Sequence, residues 1–199
     1  MMRERFGLLL LAGAALLLAG GLARSASAAG PGRGSDRQSQ QQGGRAMAFA
    51  LSTTAFADGG AIPARYTCDA ADLSPALSWR DVPQGTRTLA LIADDPDAPA
   101  GTWTHWILWN IPPQASFLPE GVPPVETLDN GARQGRNDFR RLGYRGPCPP
   151  PGKPHRYFFK LYALNARLDL KPGAARGELE EAMKGHIIAQ AVWMGTCMR

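Results

Sequence analysis

The sequence has 199 residues, of which 44% are hydrophobic, so the chain is long enough to bury one core after any leader is removed. Its formal net charge is +5, yet the first 45 residues hold six of the 22 basic residues and two of the 17 acidic ones. The remaining chain carries 16 basic and 15 acidic residues and is nearly neutral. This balance argues against a nucleic-acid partner, because binding a phosphate backbone needs a concentrated cationic face.

The N-terminal segment has the pattern of a secretory signal peptide. Arg3 and Arg5 precede an apolar run from Leu8 to Leu22, and the small residues Ala26, Ser27 and Ala28 follow. The run is shorter than the ~20 apolar residues of a membrane-spanning helix, although an uncleaved anchor is the alternative. We therefore predict a signal peptide over residues 1–28, a periplasmic or secreted location and no membrane span after cleavage.

Residues 29–46 are predicted to be a flexible linker, and residues 47–199 a single domain. The stretch GPGRGSDRQSQQQGGR, from Gly30 to Arg45, contains no large apolar side chain that could offset the entropy of ordering. All three cysteines, Cys68, Cys148 and Cys197, lie in the domain. At most one disulfide can form among them, and the sequence does not select the pair.

Most periodic segments of the domain are short and bounded by Pro, Gly, Asn and Asp, a pattern typical of strands. Thr88 to Asp94, TLALIAD, is a continuous apolar run and is predicted to be a central strand covered on both faces. The aromatic segment from Tyr157 to Leu164 is also strand-like.

A histidine enters the strand predicted from Thr102 to Ile111. Alternation along this strand places His105 on the same face as three apolar residues, Trp103, Ile107 and Trp109. The acidic, proline-containing turn DDPDAPAG precedes it and supplies Asp95 and Asp97 as partners for an imidazole. A carboxylate bonded to a histidine sets its tautomer and favours its charged form.

A second loop has the same design. In GYRGPCPPPGKPHRY, from Gly143 to Tyr157, a run of prolines delivers His155 to the start of a strand. Prolines restrict the backbone, so both loops can hold a histidine at low entropic cost, which suits a preformed site for a small ligand. The backbone amides of Gly146 and Cys148 could add donors for an anion.

The C-terminal region is predicted to contain a helix and a closing strand. The helix spans Ala174 to Ala191, with Leu179, Met183 and Ile187 forming an apolar stripe, although Gly185 leaves two short helices possible. His186 is expected at its surface, and AVWMGTCM is expected to close the fold as a strand. These elements together predict a mainly β protein built on antiparallel strands.

Two enzymatic alternatives use the same residues. Cys148, His155 and Asp95 could act as nucleophile, base and orienting carboxylate of a hydrolase. Asp95, His105 and His155 could instead bind a catalytic zinc ion, as in a metal-dependent hydrolase. The flanking prolines of Cys148 and the absence of close-spaced metal motifs favour binding without catalysis, so we expect no enzyme activity, no cofactor and no metal.

At these residues the chain resembles the phosphatidylethanolamine-binding protein family, in particular its bacterial Raf-kinase-inhibitor-like branch. The resembling segments are DPDAPAG (Asp95–Gly101), WTHWILWNIP (Trp103–Pro112), NDF (Asn137–Phe139), GYRGPCPPPGKPHRYFFKLYAL (Gly143–Leu164) and RYTCDAADLSPALSW (Arg65–Trp79), within a likeness from Ala48 to Arg199. The resemblance implies a β-sandwich with a large antiparallel sheet, a smaller second sheet and a C-terminal helix. It also implies a small pocket for phosphate or a phosphorylated headgroup, including that of a phospholipid.

The resemblance further assigns roles within the pocket. It implies that Asp95 orients His105 and that His105 and His155 line the pocket. The implied walls are Pro99 and Trp103 on one side, and Gly146, Cys148, Pro150 and Tyr157 on the other. It also makes the bonds preceding Pro96 and Pro99 candidates for the cis form.

The sequence departs from that branch at its end and in its proline-rich loop. The closing segment reads Gly195-Thr196-Cys197 where the branch often ends in GTY, and Lys153 adds a cation near the pocket mouth. A role as a kinase or enzyme inhibitor, with a protein partner not identified by the sequence, is implied by the resemblance alone.

Overall fold

The computed structural model describes residues 48–199, so the predicted signal peptide and the whole predicted linker lie outside the described residues. The strands are β1 (Ala50–Ser52), β2 (Leu77–Arg80), β3 (Thr88–Asp95), β4 (Trp103–Ile111), β5 (Phe117–Leu118), β6 (Arg133–Gln134), β7 (His155–Leu164) and β8 (Ile187–Cys197). One α-helix, α1 (Arg176–Met183), precedes β8, and a short 3₁₀ turn covers Ala64–Tyr66.

The larger sheet has five antiparallel strands in the order β6-β4-β3-β7-β8. All eight residues of β3 are buried. This follows from its sequence, because an uninterrupted apolar run is stable only where both faces of the strand are covered. The predicted central strand is therefore confirmed.

The smaller sheet, in the order β1-β2-β5, packs over one face of the larger sheet. Between them lies the main core, which includes Leu77, Trp79, Leu89, Leu91, Trp106, Leu108, Phe159 and Leu161. On the opposite face of the larger sheet, α1 covers a second core through Leu179 and Met183. This architecture confirms the predicted mainly β fold with two antiparallel sheets and a helix near the C-terminus.

A β-bulge in β4 contradicts the predicted alternation of that strand. Asp94 pairs with Thr104 and Ala93 pairs with Trp106, so His105 is an extra residue opposite β3. Trp106 consequently packs in the main core, whereas Ile107 and Trp109 pack in the second core beneath α1. His105 therefore does not share a face with Ile107 and Trp109, because an inserted residue reverses the alternation beyond it.

The helix is shorter than predicted. It ends at Met183, and Gly185 follows with a φ of 77°, a left-handed conformation that glycine adopts without strain. Residues from Ile187 onward pair with β7 instead of extending the helix, so the predicted end at Ala191 is wrong. Pairing along the whole of β7 outweighs the weak helical spacing of this segment.

The chain is cross-linked by a disulfide between Cys68 and Cys148, and Cys197 is a buried free thiol. No peptide bond of the described residues is cis, so the cis bonds considered at Pro96 and Pro99 are not formed. Within residues 48–199, no helix is long and apolar enough to cross a membrane.

Candidate functional site

A cavity of about 360 Å³ opens at one end of the larger sheet, where β3 ends and where β4 and β7 begin. This volume is near the lower end of the usual range for small-molecule sites. Its lining residues are Asp95, Ala98, Pro99, Ala100, Trp103, His105, Phe139, Cys148, Pro149, Pro150, His155 and Tyr157.

The first loop is fixed by two aspartates with different partners. Asp95 is buried, and its Oδ1 accepts a hydrogen bond of 2.8 Å from the backbone N–H of Asp97. Asp97 forms an ion pair with Arg156 and also accepts a hydrogen bond from the backbone of that residue, which together lower the pKa of Asp97 to about 2. The predicted role of Asp97 as a partner of an imidazole is therefore wrong, and Asp97 does not line the cavity.

His155 is held by Asp95. It is the first residue of β7, and its Nδ1 lies 2.8 Å from Oδ2 of Asp95, with both side chains buried. Because a carboxylate can only accept, Nδ1 carries a hydrogen and donates it. Nε2 has no hydrogen-bond partner among the described residues, so the ring is anchored at one nitrogen and free at the other.

His105 is held by a backbone carbonyl. Its Nδ1 lies 2.6 Å from the carbonyl oxygen of Arg145, and its ring packs edge-on against Phe139 and Tyr157. Burial lowers the pKa of His105, although the Arg145 carbonyl and the charge of Asp95 partly oppose this effect. The implied pairing of Asp95 with His105 is thus wrong: the carboxylate anchors His155, and Nδ1 of His105 lies on the carbonyl of Arg145.

The second loop forms the opposite wall. Cys148 and Pro150 line the cavity, as predicted. The disulfide joins Cys148 to Cys68, which lies in the segment before β2. Gly146 does not line it, since its backbone N–H donates to Oδ1 of Asp72. A Cβ at Gly146 would collide with the backbone oxygen of Tyr66, so glycine is required there for packing.

The cavity thus brings together most of the predicted site residues, and their binding of a ligand stays a prediction. The predicted site lacked four lining residues, Ala98, Ala100, Phe139 and Pro149, and also lacked the Arg145 carbonyl. Phe139 lies beside Trp103 and His105, with ring centroids 5.6 and 5.3 Å away. Phe139 belongs to the NDF segment, which is one of the motifs that carry the family resemblance, so the sequence did contain a signal for it. The Arg145 carbonyl could not be predicted, because every residue has a backbone carbonyl and the sequence does not show which one accepts a hydrogen bond from His105.

The two enzymatic alternatives find no support. The sulfur of Cys148 is bonded to Cys68 and cannot act as a thiolate, and burial raises the pKa of the remaining thiol, Cys197. In the described part of the chain, no group of three or more His, Cys, Asp or Glu side chains is arranged to hold a metal ion.

Comparison with known proteins gives one consistent family. Residues 52–198 match the family described as phosphatidylethanolamine-binding protein. A UPF0098 protein of Methanothermobacter thermautotrophicus is 54% identical over 149 residues, covering 75% of this chain and 98% of the relative. A crystal structure of a protein described as a putative PEBP homolog, CT736 of Chlamydia trachomatis, superposes with a TM-score of 0.70 at 42% identity, covering 76% of this chain and 98% of that one. A second crystal structure, that of E. coli YbcL, superposes with a TM-score of 0.72 at 32% identity. It covers 76% of this chain and 98% of that one.

Proposed function

Because the chain belongs to the phosphatidylethanolamine-binding protein family, we propose that its cavity binds phosphate or the phosphorylated headgroup of a small molecule or phospholipid, without chemical turnover. The family and the relatives it matches carry no enzymatic name.

The observation that carries this proposal is the pair of anchored imidazoles. His105 and His155 line one cavity, and each uses Nδ1 for a protein partner while Nε2 stays unpaired among residues 48–199. An imidazole fixed in this way presents its second nitrogen in a defined direction. A ring that also carries a hydrogen on Nε2 donates a charge-assisted hydrogen bond to an anionic oxygen, whereas a neutral ring accepts from a P–OH group, and a phosphate offers both kinds of oxygen.

The walls of the cavity support a small and preorganised site. Trp103 and Phe139 pack at right angles on one side, and Pro99 and Pro150 stand on the two loops that frame the opening. Side chains and loops that are already ordered lose little entropy when a ligand binds. The apolar walls also suit the carbon part of a phosphate ester.

Titration calorimetry with inorganic phosphate and phenyl phosphate tests the proposal. We expect His105→Ala and His155→Ala each to weaken binding at least tenfold. His186→Ala is the matched control, because His186 is exposed, pairs with Asn165 and lies outside the cavity lining. Equal affinity of the wild type and both cavity variants would refute the site.

We also propose that the protein acts in the periplasm or as a secreted protein. The leader pattern motivates this location, and the Cys68–Cys148 disulfide supports it, because disulfides persist mainly in oxidising compartments. Expression of the full chain in a bacterial host, followed by mass spectrometry of the exported fraction, should give a mature protein that begins after Ala28. Retention of the whole chain in the cytoplasm would contradict the proposal. Inhibition of a kinase or another enzyme stays an implication of family resemblance alone.

A further inference from the structure

The two histidines of the cavity are anchored alike but by chemically different partners. Nδ1 of His155 faces the carboxylate of Asp95, whereas Nδ1 of His105 faces the neutral carbonyl of Arg145. Neither Nε2 atom has a partner within residues 48–199, and neither is among the fully buried unpaired atoms, so both remain accessible. The difference between the two partners determines what each Nε2 can offer to a ligand.

His105 offers an acceptor. A carbonyl oxygen cannot donate, so the hydrogen of the neutral ring must reside on Nδ1, which leaves the lone pair on Nε2. Burial favours this neutral form by lowering the pKa of His105. The titratable and polar groups that face the ring are Asp95 from β3, Tyr157 and His155 from β7, Asp138 from the loop before Phe139, and the backbone at Arg145 and Gly146.

His155 offers a donor when its ring carries a hydrogen on both nitrogens. Protonation of its ring forms an ion pair with Asp95 and places a hydrogen on Nε2. Asp97, which lies in the first loop, is already paired with Arg156.

The cavity therefore combines one acceptor, one donor and a buried carboxylate. We propose that it selects phosphate monoesters in their singly protonated form, whose P–OH group donates to Nε2 of His105 while an anionic oxygen accepts from Nε2 of His155. This inference rests on the proposed function and narrows its ligand class. A phosphodiester or a sulfate ester carries one negative charge but no hydroxyl hydrogen, so its oxygen would face the lone pair of His105 unpaired.

Three matched probes test the inference by calorimetry at pH 6: phenyl phosphate, phenyl sulfate and methyl phenyl phosphate. We expect the sulfate and the diester to bind at least tenfold more weakly than phenyl phosphate, because an unpaired buried acceptor is costly. The second pKa of a phosphate ester is about 6, so the singly protonated form of phenyl phosphate falls roughly 50-fold between pH 6 and pH 8, and its affinity should fall by at least that factor. NMR titration of His105 should show a midpoint below the ordinary histidine value of 6.5.

His105→Gln separates a role in selection from a structural role. An amide can present either an oxygen or an N–H₂ group, so this variant should bind phenyl sulfate and phenyl phosphate with similar affinity. Equal binding of all three probes by the wild type would overturn the selection of monoesters and leave the proposed function standing. Failure of every probe and of inorganic phosphate to bind would overturn both.

Discussion

Removing the Cys68–Cys148 disulfide is expected to destabilise the fold and loosen the cavity. Cys148 lies in a loop, residues 147–154, that contains five prolines and therefore has few backbone N–H groups to anchor it. The loop is tied to its surroundings through the carbonyl of Pro147, which accepts from Cys68, and through the N–H of Gly152, which donates to Arg199. The disulfide supplies the covalent connection at the residue that lines the cavity.

The magnitude follows from the length of chain that the disulfide closes. The two cysteines are 80 residues apart, and the loop-entropy relation gives about 4.5 kcal/mol of stabilisation for a loop of that length. Measured values are commonly smaller, so we expect Cys68→Ser with Cys148→Ser to lower the free energy of unfolding by roughly 2–4 kcal/mol. Affinity for phenyl phosphate should fall as well, because the wall formed by Cys148 and Pro150 is no longer held.

Urea denaturation followed by circular dichroism measures the effect, with calorimetry on the same samples. Wild-type protein treated with a dithiol reductant should match the double variant, whereas the double variant should not respond to the reductant. Cys197→Ala is the control, since it removes a buried thiol and keeps the disulfide. If the double variant unfolds at the same urea concentration as the wild type and binds phenyl phosphate equally well, the disulfide does not organise the loop.

Two further predictions concern aspartates near the end of β3 and beyond it. The side chain of Asp94 is fully buried and pairs with Lys160 and Arg176 at 2.7 and 2.8 Å. Asp94→Asn should therefore lower the free energy of unfolding in urea by roughly 3–5 kcal/mol, because two cations lose a buried partner. The pKa of Asp97 is lowered from 3.8 to about 2 by Arg156, so its stabilising contribution is complete above pH 3.8 and is lost as the pH falls toward 2. NMR titration should place the Asp97 midpoint near 2, and Arg156→Gln should return it toward 3.8; a wild-type midpoint near 3.8 would contradict the ion pair.

The pair between Glu181 and Lys184 supplies the control for Asp94→Asn. Both side chains are more than 70% exposed, and pairs of this kind contribute little. Glu181→Gln should change the free energy of unfolding by less than about 1 kcal/mol. A change in Asp94→Asn no larger than this would show that Asp94 does not stabilise the sheet.

The sequence predicted those features that depend on local composition. The apolar run of β3 identified a strand covered on both faces, and the spacing of prolines identified two rigid loops that each present a histidine. Such features were predictable because each follows from the residues of one short segment.

Features that depend on register were not predictable. Alternation along β4 assumes an unbroken ladder, and the bulge at His105 breaks it without any mark in the sequence. The end of α1 was missed because strand β7, which lies far away in the chain, pairs with the residues that follow Gly185. The partner of Asp95 was misassigned for the same reason, since the carboxylate and His155 are 60 residues apart.

Strand register explains why Asp95 anchors His155. Asp94 pairs with Phe158, so continuing that ladder by one residue places Asp95 opposite Tyr157 and makes His155 its diagonal neighbour on the same face. On the other side, Asp95 pairs with Trp103, and His105 is the inserted residue of the bulge, with its Nδ1 on the carbonyl of Arg145. The carboxylate of Asp95 thus anchors one imidazole, and a backbone carbonyl anchors the other. The acceptor and the donor that the cavity presents therefore follow from the two partners of Nδ1, a backbone carbonyl for His105 and a carboxylate for His155.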